Sequence, residues 1–205
     1  MKTADTLSQT GTILLGHSRG GLIARKYLST TGDTSVKALL TIAAPHKGSS
    51  IAGISRYVAP LVSLIDPFIP AGHRGSRSFA VKRTMDFLRS RALKELLPDS
   101  SFFRTMDDGP MAGVYYASAG GTNPTLFKIS DYSFTDMFEK VIPAQLYPEE
   151  LKQGRGDGLV SAESSRLSWA NEHYMFECNH AEILFDEAVR EKMVRIIERI
   201  SERSF

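Results

Sequence analysis

Apolar and polar positions alternate along the chain in blocks that change period. Thr12-Ile13-Leu14-Leu15 is a short β-prone run that predicts a strand over 12–16. An amphipathic pattern follows and predicts a helix over 19–30, with Gly32 placed to cap its end. Val36 to Ala43 is a mostly apolar run, which suits a parallel strand buried on both faces; Pro45, Gly48 and Ser49 then break it. Ile54, Tyr57, Val58, Leu61, Val62 and Ile65 fall at helical spacings, with Pro60 starting or kinking that helix and Asp66-Pro67 and Ile69-Pro70 ending it. Leu93, Leu96 and Leu97 read as core, ahead of a stop at Pro98-Asp99-Ser100. A third strand is expected over 113–119, stopped by Gly120-Gly121, and a last strand over 172–178. Residues 183–203 form a strongly amphipathic helix with Phe185, Val189, Met193, Ile196, Ile197 and Ile200 on one stripe. Strands alternating with helices predict an α/β protein with a mostly parallel sheet.

Composition narrows the class without changing it. A chain of 205 residues with 42% hydrophobic and 23% charged residues supports one domain, taken as 1–205, with a sizeable core. The net charge of +2 gives no argument for a nucleic-acid partner, and the single Cys178 excludes an internal disulfide. Neither a run of about 18 apolar residues nor a signal-peptide pattern after Met1 is present, so no transmembrane segment is expected and the default compartment is the cytoplasm. One stretch is uneven. Residues 72–94 hold Arg74, Arg77, Lys82, Arg83, Arg89, Arg91 and Lys94 against Asp86 alone, which is either a solvated face or a contact for an anionic interface.

The chemistry is concentrated at Gly16-His17-Ser18-Arg19-Gly20-Gly21, between the first strand and the first helix. A Gly-x-Ser-x-Gly turn in that context is a nucleophile elbow. The turn strains the serine backbone, so Gly16 and Gly20 are expected to be small of necessity, and Gly21 to let helix and strand pack closely. Ser18 then stands at a helix N-terminus, where the Arg19 N–H and the helix dipole can stabilise an oxyanion.

With these residues in view, the sequence resembles the α/β-hydrolase superfamily, in particular bacterial lipases and esterases. Gly16 to Leu22 looks like their elbow, and Thr41-Ile42-Ala43-Ala44-Pro45-His46-Lys47-Gly48-Ser49 like the segment after their next strand. Gly156-Asp157-Gly158-Leu159-Val160 with Ser164-Ser165-Arg166-Leu167 resembles the aspartate loop, and Asn179-His180-Ala181-Glu182 the histidine loop. The resemblance implies a parallel sheet with flanking helices, a cap or lid insertion over about 51–110 and a second insertion over about 122–152. That second insertion, with Phe127, Tyr132, Phe134, Phe138 and Tyr147, lines an acyl pocket or forms a small accessory core. In the family several strands precede the nucleophile, whereas Ser18 has 17 residues before it. The first strands of the sheet are therefore expected to be absent, which leaves the elbow strand as an exposed apolar edge.

The family order of nucleophile, acid and base selects Ser18, Asp157 and His180. The resemblance implies an acyl-enzyme on Ser18, His180 as base and then acid, and Asp157, in a flexible Gly-Asp-Gly turn, as its orienter. One oxyanion donor is the Arg19 backbone N–H; the second is expected upstream of residue 1. His17 and His46 are candidate substrate contacts, although His17 cannot turn to serve Ser18 as base and the place of His46 after its strand favours a loop-shaping role. His73, His173, Asp131 and Asp136 are the competing titratable residues. Glu182 and Asp186 do not by themselves define a calcium site, so no cofactor and no metal are expected. The implied activity is a serine carboxylic-ester hydrolase on an acyl-ester or lipid substrate, with lipid-interface contact through the cap. A deacylase, acyltransferase or thioesterase would use the same triad, and an inactive interaction module of the same ancestry is the alternative.

Overall fold

The computed structural model describes residues 11–54, 91–106, 108–125, 128–129, 132–133, 139–140 and 142–202. The helical face from Tyr57 to Ile65, most of the basic stretch, His73, Phe127, Asp131, Phe134, Asp136 and Phe138 lie outside them.

Strand β1 spans Thr12–His17 and leads through Ser18 into helix α1, Arg19–Thr31. Gly32 ends that helix in the left-handed conformation (φ 59°), donating its N–H to the Leu28 carbonyl, as the sequence predicts. Strand β2 is Val36–Ile42. A short 3₁₀ turn, Ser50–Ile54, stands at the start of the segment predicted to be a cap, and a second one, Arg91–Leu96, lies within it. Leu93 and Leu96 are buried. Helix α2 is a single turn, Ser101–Arg104, capped by the Ser100 hydroxyl, so the predicted stop is also a new start. Strand β3 is Tyr115–Gly121, β4 and β5 are a two-residue pair at Lys128–Ile129 and Tyr132–Ser133, β6 is Glu172–Phe176 and helix α3 is Glu187–Glu202.

The main sheet has the order β1-β2-β3-β6, with every neighbouring pair parallel. The sheet is two-sided, which explains why β2 reads as a continuous apolar run. One face packs Ala38, Leu40, Ile42, Ala117 and Ala119 against Val189, Met193, Ile196 and Ile200 of α3. The other packs Leu39 and Tyr116 against Leu28 of α1 and Leu167. Each fully buried Leu, Ile or Val in these two layers stabilises the fold by about 1.5–3 kcal/mol relative to exposure. Among the described residues β1 is an edge strand, with Leu15 53% exposed, as the sequence implies.

Several boundaries differ from expectation: β3 starts at Tyr115 instead of 113, β6 ends at Phe176 instead of 178, and two further ends have a visible cause. Strand β3 runs through Gly120 and Gly121 instead of stopping before them, and these glycines pair with Met175 and Phe176. The last helix begins at Glu187, because Asp186 caps it by accepting the Val189 N–H at 3.0 Å. Phe185 therefore leaves the apolar stripe and is 38% exposed.

Candidate active site

The elbow is strained where the sequence requires it. Ser18 has φ 53° and ψ −130°, in the left-handed region that a side chain avoids. Its N–H donates to the Ile42 carbonyl at 2.9 Å, and its carbonyl accepts from Gly21 N–H at 3.0 Å. A Cβ on Gly16 would lie 2.6 Å from the Gly21 backbone, and one on Gly21 would lie 2.6 Å from the Ala44 Cβ. The expectation for Gly20 is corrected. It is exposed, and a Cβ there meets none of the described residues within 4 Å. The close approach is borne by Gly16 and Gly21, because they face each other across the turn.

Three side chains from distant parts of the sequence meet at this point. The Ser18 hydroxyl donates to His180 Nε2 at 2.9 Å. The His180 Nδ1–H donates to Asp157 Oδ2, also at 2.9 Å. His180 is 2% exposed and Asp157 fully buried, so the pair sits where a charge interaction is little screened. The turn around Asp157 is pinned, contrary to the flexible turn expected. Its Oδ1 accepts from Leu159 N–H (3.0 Å) and Val160 N–H (2.7 Å). Its own N–H donates to the Val160 carbonyl, while its carbonyl accepts the His180 N–H at 2.8 Å. The flanking glycines serve compaction: Gly158 has φ 96°, and a Cβ on Gly156 would lie 2.4 Å from Glu150 Cα.

Several supporting residues carry no obvious sign in the sequence. Glu150 is a buried carboxylate whose oxygens accept from the Ser50 N–H (2.7 Å) and hydroxyl (2.6 Å), while its carbonyl accepts from Gly158 N–H. Ser49 donates to the Leu159 carbonyl at 2.7 Å. Together they bind the start of the 51–90 segment to the aspartate loop. Asn179 was readable: an Asn before a turn accepts backbone N–H groups two and three residues on. Here its Oδ1 takes Ala181 N–H and Glu182 N–H, and its Nδ2 donates to the Thr125 carbonyl.

The two candidate substrate histidines have other partners. His46 is 5% exposed; its Nε2 is hydrogen-bonded to Thr41 Oγ1 at 2.9 Å, and its N–H donates to the Ser164 carbonyl. This is the geometry of a loop-shaping residue. Burial, with Arg25 and His173 nearby, pushes its pKa down to about 3. His17 donates from Nε2 to the His180 carbonyl at 3.2 Å, and burial together with the neighbouring His180 lowers its pKa to about 3. His173 lies on β6, hydrogen-bonded through Nδ1 to the Ser118 hydroxyl, and belongs to the sheet. Arg19 begins α1, so no helical carbonyl precedes its N–H. Its side chain pairs loosely with Glu95 at 3.7 Å. Cys178 is buried and its thiol pKa is raised to about 12 by burial and nearby acidic groups, Asp186 first. Among the described residues no three metal-binding side chains are grouped to hold an ion, and no helix is long and apolar enough to cross a membrane.

A parallel sheet flanked by helices, with a strained serine between strand and helix and loops at the strand ends, is an α/β-hydrolase-like fold. Solved structures agree at the level of fold. Lipase 1 from Pelosinus fermentans superposes with a TM-score of 0.57 at 16% identity, over 95% of this chain and 72% of that one. The mature form of Bacillus licheniformis lipase BlEst2 gives 0.56 at 16% identity over 93% of this chain, and the Staphylococcus hyicus lipase 0.53 at 14% over 94%. This chain spans 65% of the length of the former and 70% of the latter. No curated protein matches it. The family described as palmitoyl protein thioesterase matches residues 1–107, more than half of the sequence, and the chain belongs to that family.

Proposed function

We propose that this chain is a serine hydrolase that cleaves acyl esters, thioesters among them, through an acyl-enzyme on Ser18. The observation that carries the reading is the continuous relay Ser18–His180–Asp157, two hydrogen bonds of 2.9 Å beginning on a strained elbow. A serine hydroxyl is a poor nucleophile alone and needs a base whose tautomer is fixed. With Nδ1–H held by Asp157, His180 Nε2 is free to accept. Ser18 Oγ would attack the acyl carbonyl carbon as its proton passes to Nε2, and the Arg19 N–H would face the oxyanion. His180 would then return the proton to the departing alcohol or thiol oxygen or sulfur. Water, deprotonated by the same nitrogen, would release the acid. Membership of a family described as palmitoyl protein thioesterase supports a thioester as well as an ester substrate. In this reading 1–205 is one domain, about 51–110 is the cap that meets an acyl chain or lipid interface, and about 122–152 is a second insertion.

Intact mass after treatment with a fluorophosphonate probe tests the proposal. A single adduct is expected on the parent chain and none on Ser18→Ala. Turnover of a p-nitrophenyl ester and of an acyl thioester then ranks the two substrate classes. A folded, monodisperse chain without an adduct would overturn the proposal. The same result would favour the second reading, an interaction module pairing through the exposed β1 edge.

A further inference from the structure

The sheet order creates a geometric difficulty. Ser18 leaves the end of β1 and His180 follows β6, yet two strands, β2 and β3, stand between β1 and β6. The histidine loop is well fixed on its own side. His180 N–H donates to the Asp157 carbonyl, and Asn179 ties the loop to Thr125 and to its own following turn. None of these bonds reaches the elbow. A hydrogen bond that fails over a fraction of an ångström would thus depend on the summed rigidity of two intervening strands.

His17 spans that gap. Successive side chains on a strand point to opposite faces. Gly16 packs against Gly21 on the α1 side, so His17 turns to the other side, towards the layer of α3. There its Nε2–H donates to the His180 carbonyl at 3.2 Å, and its ring meets the His180 ring with centroids 4.8 Å apart at 44°. Among the described residues the His180 carbonyl receives no other hydrogen bond.

We propose that His17 is a positioning residue: its hydrogen bond to the His180 carbonyl and its ring contact set where the His180 imidazole meets the Ser18 hydroxyl. The inference rests on the reading of Ser18 as nucleophile and His180 as base. The direction of the bond also requires a proton on Nε2, which leaves Nδ1 as the acceptor of a neutral ring. A neutral ring suits the place. When His180 takes up the serine proton it becomes cationic, and a second cation 4.8 Å away would oppose that step.

The test compares His17→Gln with His17→Met, side chains of similar length that differ in the amide donor. His17→Phe keeps a ring without a donor. The rate constant for fluorophosphonate labelling is followed across pH, with thermal unfolding alongside and the imidazole Nδ1 proton of His180 observed by NMR. His17→Met and His17→Phe are expected to label about tenfold more slowly at the pH plateau, the effect of one net hydrogen bond, and His17→Gln to recover most of that loss. The Nδ1 proton signal should broaden or move in Met and Phe and return in Gln. Labelling of all three at the parent rate overturns the proposal. If the parent itself does not label, the reading of function fails, while the Nδ1 signal still decides the positioning role. If one variant does not fold, the remaining donor and non-donor variants decide it.

Discussion

Acid should destabilise this fold earlier than its carboxylates require, and His46 isolates the reason. Its imidazole is 5% exposed, and its pKa falls from 6.5 to about 3, first through burial and then through the nearby charge of Arg25. The folded chain therefore declines a proton that the unfolded chain accepts below pH 6.5. Since the folded pKa is the lower one, stability is fully present above about pH 7 and is lost as pH falls. At about pH 5.5 an unfolded imidazole is mostly protonated and the native one is not, so the loss is about 1–2 kcal/mol. His17, lowered to about 3 by burial and by His180, adds a similar amount, and half-buried His173 shifts in the same direction. Two such groups together remove about 3 kcal/mol, a large share of the 5–15 kcal/mol of a typical domain. Urea unfolding followed through Trp169, the single tryptophan, gives the assay, at about pH 8 and about pH 5.5. His46→Gln keeps a polar tip for Thr41 and cannot titrate. The variant starts less stable, and its deficit should shrink by about 1–2 kcal/mol between the two pH values. Parallel losses in parent and variant would refute the reasoning, because they would mean that His46 accepts a proton as easily folded as unfolded.

Asp157→Asn should retain the fold, since the side-chain oxygen can still accept from Leu159 and Val160, but it presents a donor to His180 Nδ1. Labelling at Ser18 is expected to fall about 10³- to 10⁴-fold, measured by probe incorporation. Gly20→Ala should leave stability in urea unfolding unchanged or raise it, by up to about 1 kcal/mol, because its Cβ meets none of the described residues and a helical glycine is costly. Gly21→Ala should lower the melting temperature by several degrees or more, since its Cβ would stand 2.6 Å from that of Ala44. Ile196→Ala, on the buried stripe of α3, should cost about 2–5 kcal/mol in urea unfolding.

What could be read from the sequence is what local pattern determines. The four strands of the main sheet, α1 with its Gly32 cap and the α3 stripe follow from apolar periodicity and breakers. The elbow follows from glycine spacing between a strand and a helix. Misreadings fall where tertiary contact overrides local preference. Gly120 and Gly121 look like a strand terminator, yet pairing with Met175 and Phe176 holds them extended. Asp157 between glycines looks mobile, yet two backbone donors fix one of its oxygens. Phe185 fits the apolar stripe by spacing alone, and Asp186 removes it by capping the helix one residue later. Glu150 had no sequence signal, because its partner Ser50 is a hundred residues away.

The glycines that end β3 explain why the two loops can meet. A Cβ on Gly120 would lie 2.0 Å from Ser165 Oγ, and one on Gly121 would lie 2.3 Å from the Cys178 carbonyl and 2.8 Å from Asp157 Cβ. Side chains at the tip of β3 would therefore push the loop that carries the aspartate off the sheet and the loop that carries the histidine away from it. The 2.9 Å bond between Asp157 and His180 depends on both loops settling directly on bare backbone. Gly121→Ala tests this dependence, because its clash is with backbone and cannot be relieved by a rotamer change. It should slow Ser18 labelling by more than Ile196→Ala does at equal loss of stability, since the first displaces the loops and the second only leaves a cavity beneath α3. Equal labelling rates for the two variants, compared at a temperature where both are folded, would mean that the loops hold their geometry without the glycine floor.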